Sequence, residues 1–365
     1  MDLANKSSAF IAVLNMGLGH ATRSLPIIRH LLEMDWRVVI GSSGRSLVLL
    51  KKEVPAAVFV ELPDYGLRYS ERGVRLSGLL LQIPEFLRTI AAEHQLTEET
   101  VMKYKSQAVI SDHRYGCYSR FVPSFFISHQ LRFATPPFLR PFEIFGFWFN
   151  RWFHKKYQAV IVPDIFQKKE GLLSGRLSRV GDRPDYHFCG ILSSIRPEMQ
   201  TPDIDLLVSI SGPEPQRTVF EQKILEQIKH LPGEKVVVLG KPELDTSTSN
   251  IPGLSVFSHL SRQKMQEYFS RSRIIVTRSG YSTVMELAEL GKKALLIPTP
   301  GQTEQVLLAN RLMALNWFYS VSQEKMNLAK DLTIAGRYPG ATALPGTRVT
   351  LLKIDQLLRE VTIHY

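Results

Sequence analysis

Apolar residues in the first half of this chain come in short unbroken runs, each followed by a stretch with helical spacing. Residues 9–14 read as a buried strand, and a helix follows from about Ala21 to Met34 with Leu25, Ile28, Leu31 and Leu32 on one face. Residues 36–40 predict the next strand, 45–52 a helix and 57–62 a third strand. The stretch 77–105 is helical in character, and 108–111, 124–127 and 159–162 read as short buried strands. This alternation implies a parallel sheet covered by helices. After a polar, proline-containing stretch at 193–202 the pattern restarts. Strands are expected at 206–210, 235–239, 254–257, 274–277 and 294–297, and helices over 216–230, 262–270, from the turn after 277 to Gly291, and 348–361. The simplest architecture is α/β: two doubly wound, Rossmann-like domains with a cleft between them. They take residues 1–192 and 205–345, joined by a linker at 193–204, and residues 346–365 form a C-terminal helix.

Composition narrows the partners. The formal charge of +11, from 45 Lys and Arg against 34 Asp and Glu, favours nucleic acid, an anionic membrane face or a phosphorylated substrate. No nucleic-acid motif or zinc spacing is present, so nucleic acid is not expected. No charge-free apolar run reaches the roughly 18 residues of a membrane span, and the first residues do not form a basic leader. The two cysteines, Cys117 and Cys189, fit neither a metal site nor a disulfide framework, which predicts a reducing, cytoplasmic setting.

The loop Gly17-Leu-Gly-His20 follows a strand and opens a helix. Its glycines let the backbone approach a ligand at the cleft, and the helix N-terminus favours negative charge. A dinucleotide fingerprint does not fit: Thr22 stands where the third glycine belongs, and the second strand ends Val39-Ile40-Gly41 with no acid nearby. His20 is placed to take a proton from an acceptor hydroxyl, or else only to hydrogen-bond its loop. His113 is a second candidate. Asp112, at the end of a strand, either orients a base or caps a helix.

The second half carries the stronger signal. Arg278-Ser-Gly-Tyr-Ser-Thr-Val-Met-Glu286 joins a strand to a helix, and Pro298-Thr-Pro-Gly-Gln-Thr-Glu-Gln305 joins the next strand to the next helix. Ser279, Gly280, Ser282 and Thr283 offer close approach and donors to phosphate oxygens, and Arg278 offers charge. Glu286, one turn into its helix, can accept from a ribose diol, and Glu304 and Gln305 can meet sugar hydroxyls. Ser211, Gly212 and Arg217 form a third strand-loop-helix of the same kind, or a plain turn. Residues 132–157 interleave Phe133, Phe138, Phe142, Phe145, Phe147, Trp148, Phe149, Trp152 and Phe153 with Arg140, Arg151, Lys155 and Lys156. That mixture suits an anionic membrane surface, or a buried aromatic helix with a solvated basic edge.

Taken together these motifs resemble the GT-B glycosyltransferases, and within them the MurG-type, family 28-like UDP-sugar transferases. Gly17-Leu-Gly-His20 is similar to the amino-terminal glycine-rich loop of that group; Arg278–Glu286, Gly291, Pro298 and Glu304-Gln305 are similar to its donor region. The resemblance implies inverting transfer from a nucleoside diphosphate sugar, UDP-linked as first candidate, to a hydroxyl acceptor that is lipid-linked or membrane-proximal. It implies that Glu286 holds the ribose, Ser279 and Gly280 the diphosphate, Glu304 and Gln305 the sugar, and that His20 is the base. It further implies no metal and no cofactor, a final helix crossing back to the first domain, and a cytoplasmic enzyme peripheral on the inner membrane face. The first loop has fewer glycines than the MurG form and the Pro300–Gln305 loop differs, which sets the acceptor apart from the MurG lipid. The rival readings are a sugar-nucleotide 2-epimerase on the same fold, which calls for more carboxylates, and a catalytically silent scaffold subunit.

Overall fold

A computed structural model describes residues 6–65, 76–134, 143–180, 183–198, 200–241, 251–341 and 344–363, with the backbone alone for 76–82 and 362–363. The chain forms two compact units, Met1–Ser194 with Pro345–Tyr365, and Ile195–Leu344.

The first unit runs β1 (Ser8–Val13), α1 (Gly19–Glu33), β2 (Arg37–Ser42), α2 (Gly44–Glu53), β3 (Val58–Glu61), α3 (Leu76–Tyr104), β4 (Ala108–Asp112), β5 (Ser124–Ile127), α4 (Glu143–His154) and β6 (Ala159–Val162). A small hairpin, β7 (Phe166–Gln167) with β8 (Glu170–Gly171), and β9 (Tyr186–Phe188) complete its first segment. Seven strands lie in the order β3-β2-β1-β4-β5-β6-β9, and every neighbouring pair is parallel. Every residue of β1, β4, β5 and β6 is buried. That is why these strands read as continuous apolar runs: a parallel strand is covered on both faces.

The second unit runs β10 (Ile204–Ser209), α5 (Gln216–Ile228), β11 (Lys235–Val238), β12 (Leu254–Phe257), α6 (Arg262–Arg271), β13 (Ser272–Thr277), α7 (Tyr281–Glu289), β14 (Lys293–Leu296), α8 (Thr303–Ala314), β15 (Tyr319–Ser320) and α9 (Leu328–Ala335). Its six strands are parallel in the order β12-β11-β10-β13-β14-β15. Phe220, Ile224 and Ile228 of α5 and Leu328 and Ala335 of α9 pack on Val208, Val237, Val276 and Leu295 of the sheet. The chain then returns to the first unit. There α10 (Thr347–Ile363) lies beside α1, with His30 Nε2 2.8 Å from Asp355 Oδ2 and Ser193 N donating to Thr347 Oγ1 at 2.9 Å.

Short elements escaped the sequence pattern. β9 and β15 span 3 and 2 residues, too few for a period to show. The aromatic segment resolves into α4, one side of which is core: Phe147 and Phe153 are buried, while Phe145, Trp148 and Trp152 are 68%, 57% and 58% exposed. Phe138, Arg140 and Phe142 lie outside the described residues. None of the described helices is long and apolar enough to cross a membrane.

The two faces of α4 predict opposite outcomes. Phe153→Ala empties a site packed by Tyr115, Phe149 and Trp152 and should cost about 3–5 kcal/mol in denaturant unfolding. Trp148→Ala, on the exposed side, should shift stability by no more than about 0.5 kcal/mol.

Candidate active site

Each sheet reverses its winding once. Strand order runs outward in opposite directions from the neighbours β1 and β4 in the first unit, and from β10 and β13 in the second. The loops that follow such a pair diverge to opposite faces and leave a crevice at the carboxyl edge, where open α/β sheets bind ligands. The expected catalytic residues and most of the expected donor residues stand at these two reversals.

In the first unit the loop after β1 passes through Gly17, whose φ of +73° favours glycine and whose Cβ position is open, with nothing within 4 Å. Gly19 opens α1, and the residue before it supplies no side-chain cap. His20 follows, 8% exposed, with its Nδ1 2.9 Å from Oδ1 of Asp112, the fully buried last residue of β4. Arg23, one helical turn beyond His20, reaches the same carboxylate. Its Nε donates to Asp112 Oδ2 at 2.7 Å, and its Nη2 donates to Oδ1 and lies 2.8 Å from His20 Nδ1. Its Nη1 lies 2.8 Å from Nδ1 of His129, a buried residue two positions after β5. Ser24 Oγ also donates to Asp112 Oδ2, at 2.9 Å. The Asp112 neighbourhood that suggested an oriented base therefore holds His20.

His113 adopts a left-handed backbone, φ +57°, and sets its ring edge-on to His20 at 5.2 Å. Its Nε2 has no hydrogen-bond partner among the described residues.

Burial governs the protonation of this cluster. Burial by itself would raise the Asp112 carboxyl, but Arg23 and His20 outweigh it and hold the group far below the usual carboxylate range. His20 is pushed down chiefly by burial and next by Arg23, with Asp112 pulling the other way without reversing the result. Burial, then Arg23 and His20, push His113 well below the ordinary histidine range. Asp112 is thus ionised, and both imidazoles are neutral at neutral pH. Arg23 and His129 were not anticipated from the sequence. The signal was there for Arg23: a charged residue three positions after His20 shares its helix face.

In the second unit the loops after β10, β13 and β14 meet. A Cβ on Gly212, where φ is +116°, would lie 3.5 Å from Thr299 Oγ1 and 3.8 Å from Arg278 Nε. Ser279 Oγ donates to Gln305 O at 2.8 Å; Gln305 Oε1 accepts from Thr299 N at 2.8 Å, and its Nε2 donates to Gln302. Gly280 and Gln302 precede α7 and α8, and neither helix is capped by the side chain at that position. Ser282 and Thr283 stand half-buried in the first turn of α7, and Glu304 in the first turn of α8. Glu286 is buried deeper in α7 and forms an ion pair with Arg262 at the start of α6, a partner the sequence did not reveal.

Four of the expected ligand residues are tied into the loop framework. Arg278 is 1% exposed and stacks on Phe220 at 4.1 Å. It donates to Gln216 O at 3.0 Å, Ile297 O at 3.2 Å, Ser211 O at 3.3 Å and Gln323 Oε1 at 2.7 Å. Burial pushes it down to about 10, so it is a cation at neutral pH, and its donors meet backbone carbonyls and the Gln323 side chain. Ser279 is fully buried and, with Gln305, pins one loop to the next. Arg217 bonds Glu214 and donates to Gly240 O at 2.8 Å. Small exposed backbone at Ser211 and Gly212, the half-buried Gly280, Ser282 and Thr283, and the helix N-termini are of the kind that suits an anion, whereas Glu304 can only accept from a donor such as a hydroxyl.

Arg278 therefore yields a stability prediction. Arg278→Met leaves several buried acceptors unpaired and should lower the unfolding free energy by about 3 kcal/mol or more. The protein that remains folded should lose less than about tenfold, or about 1.4 kcal/mol, in calorimetric affinity for UDP, the ligand expected from the sequence. A large affinity loss at unchanged stability would contradict the cross-linking role.

Comparison with known proteins agrees with this geometry. Residues 216–333 match the family model described as the glycosyltransferase family 28 C-terminal domain. A stretch of 103 residues is 33% identical to the UDP-N-acetylglucosamine–N-acetylmuramyl-(pentapeptide) pyrophosphoryl-undecaprenol N-acetylglucosamine transferase of Lachnospira eligens. It covers 27% of this chain and 28% of that relative. Among solved structures, the glycosyltransferase of kitacinnamycin aligns over 98% of this chain and 96% of its own, with a TM-score of 0.61 at 14% identity. MurG of Acinetobacter baumannii aligns over 98% and 99%, with a TM-score of 0.56 at 14% identity. The chain as a whole has the GT-B fold of these glycosyltransferases, and its second unit carries a region similar to the family 28 C-terminal domain.

Proposed function

We propose that this protein is a glycosyltransferase. It moves a sugar from a nucleoside diphosphate sugar, UDP-linked as the first candidate, to a hydroxyl acceptor, with inversion and without a metal ion. The observation that carries the reading is the contact between His20 Nδ1 and Asp112 Oδ1 at the winding reversal of the first sheet. With Nδ1–H donated to Asp112, the lone pair of His20 is on Nε2, the atom left to meet an acceptor hydroxyl. As the acceptor oxygen bonds to the anomeric carbon, its proton passes to Nε2. The bond from that carbon to the diphosphate breaks on the opposite face, and the nucleoside diphosphate leaves with the electron pair. Asp112 keeps the ring oriented as the proton is taken.

The donor is assigned to the second unit. The backbone around Ser211, Gly212 and Gly280 meets the diphosphate with the hydroxyls of Ser282 and Thr283, and the N-terminal ends of α7 and α8 offset its charge without a cation. Glu286, steadied by Arg262, accepts from the ribose hydroxyls, and Glu304 meets the sugar. The relative from Lachnospira eligens is named for a UDP-sugar donor and an undecaprenol-linked acceptor, which supports UDP and a lipid-linked or membrane-proximal acceptor here. The exposed Phe145, Trp148 and Trp152 on α4, with Lys156 Nζ 5.2 Å from the Trp152 ring centre, suit an anionic interface. The protein accordingly works in the cytoplasm, peripheral on the inner membrane face.

Two measurements test this reading. UDP release from a panel of UDP-sugars, with and without membrane lipid, should be acceptor-dependent. His20→Ala should lower turnover by about 10²–10⁴-fold while leaving UDP binding intact; unchanged turnover removes His20 from the mechanism. No release from any nucleotide-sugar favours a silent scaffold, and an acceptor-independent epimer favours the epimerase. In flotation with vesicles containing anionic lipid, the Trp148→Ser/Trp152→Ser protein should lose most of its binding. Equal flotation of both proteins would sink the membrane assignment.

A further inference from the structure

A carboxylate beside an imidazole does two things at once. It accepts from Nδ1–H and so orients the ring, and its charge raises the ring's affinity for a proton. Only the first serves a base at neutral pH, because an imidazolium has no lone pair to offer. In this protein the two effects are separated by a third group. Asp112 receives Arg23 on both oxygens, Nε on Oδ2 at 2.7 Å and Nη2 on Oδ1, while Ser24 Oγ adds a bond to Oδ2 at 2.9 Å. Arg23 is 2% exposed, so water screens this pairing little.

The groups facing His20 come from three elements: Arg23 on its own helix α1, Asp112 with His113 at the end of β4, and His129 after β5. An arginine N–H can only donate, so at 2.8 Å from Nη1 the His129 Nδ1 accepts that bond. The foremost charges bearing on His20 are one guanidinium and one carboxylate in contact with each other, and His129 adds a smaller push in the same direction as the guanidinium. The second contact of Arg23 is the informative one. Its Nη2 is 2.8 Å from His20 Nδ1, nearly the 2.9 Å that separates Nδ1 from Asp112 Oδ1. Nδ1 can donate to Asp112, leaving Nε2 as a base, or accept from Arg23, placing the proton on Nε2. The hold of Asp112 on Nδ1–H therefore decides the tautomer, and Arg23 fixes where that carboxylate stands.

We propose that Arg23 is a positioning residue of the transfer reaction: it locks the Asp112 carboxylate against His20 and offsets its charge, so that Asp112 orients the imidazole without holding a proton on it. The inference rests on the reading of His20 as the base. It adds that the base is built to remain neutral below the ordinary histidine range, where an Asp–His pair without the guanidinium would be protonated.

The test is the titration of His20, followed by ¹⁵N NMR of the histidine-labelled full chain and by the pH profile of kcat/KM. The wild-type midpoint should lie below the ordinary value of about 6.5. Arg23→Gln should raise it by on the order of one pH unit or more. Relative to wild type, the loss in kcat/KM should grow to about tenfold or more well below the wild-type midpoint and vanish at alkaline pH. Arg23→Lys, which keeps the charge, should stay near the wild type, and Arg23→Gln/Asp112→Asn, which removes both charges, should bring the midpoint back down. Asp112→Asn alone, with Arg23 intact, should lower it further, and this holds the test open if Arg23→Gln does not fold. An unmoved midpoint in Arg23→Gln, or a raised one in Asp112→Asn, overturns the proposal. If His20→Ala keeps full turnover, the base reading fails separately, and the NMR midpoints still decide whether Arg23 sets the proton affinity of His20.

Discussion

A buried arginine ties together the carboxyl edge of each sheet, and both sites depend on it. In the second unit this is Arg278, just after β13, bonded to carbonyls or side chains from the segments after β10, β14 and β15. In the first it is Arg114, just after β4. Its Nε donates to Val13 O at 2.9 Å, its Nη1 to Pro63 O at 2.8 Å and to Glu93 Oε1 at 2.7 Å, and its Nη2 to Ser43 Oγ at 2.8 Å. The ends of β1, β2 and β3 are thereby held by one guanidinium. Loops at a sheet edge carry backbone carbonyls that must be satisfied if water is to be kept out. A planar cation with five donors satisfies several of them at once and fixes their spacing.

Because those loops are fixed, the groups beside them can be placed closely. Asp112 is buried two positions before Arg114 in the chain, and burying an uncompensated carboxylate is costly. Arg23, Ser24 and His20 compensate it, all from the first turns of α1. The same residues that make the burial tolerable bring an imidazole to the crevice between β1 and β4. In the second unit the committed Arg278, Ser279 and Gln305 form the rigid frame, and the residues left beside them are small, hydroxylic or at helix starts. That is the combination an anionic, hydroxyl-rich ligand requires.

How far this was legible differs by residue. The parallel α/β architecture was open to reading, because strands covered on both faces show as unbroken apolar runs; the edge strands β9 and β15 were too short to show a period. The motif around 278–286 marked a turn that the structure places at the carboxyl edge of the second sheet, but it could not say which of its side chains are buried there. Arg278 and Ser279 read as phosphate contacts in one dimension, and in three their side chains also tie neighbouring loops together. Arg262 beside Glu286, 24 positions away, left no local trace.

The sequence by itself determined the alternation of strands and helices, the restart of that pattern near residue 204, and the glycine and hydroxyl positions where backbone can approach a ligand. These follow from local propensity and periodicity, which act over a few residues. Only the tertiary structure decided that His20 and Asp112, 92 residues apart, share a hydrogen bond, that Arg23 stands between them and His129, and that Arg278 points inward. Strand order sets those contacts. The winding reverses between β1 and β4 and between β10 and β13, and which strands become neighbours there is fixed by packing of the whole sheet, not by any stretch of chain within it.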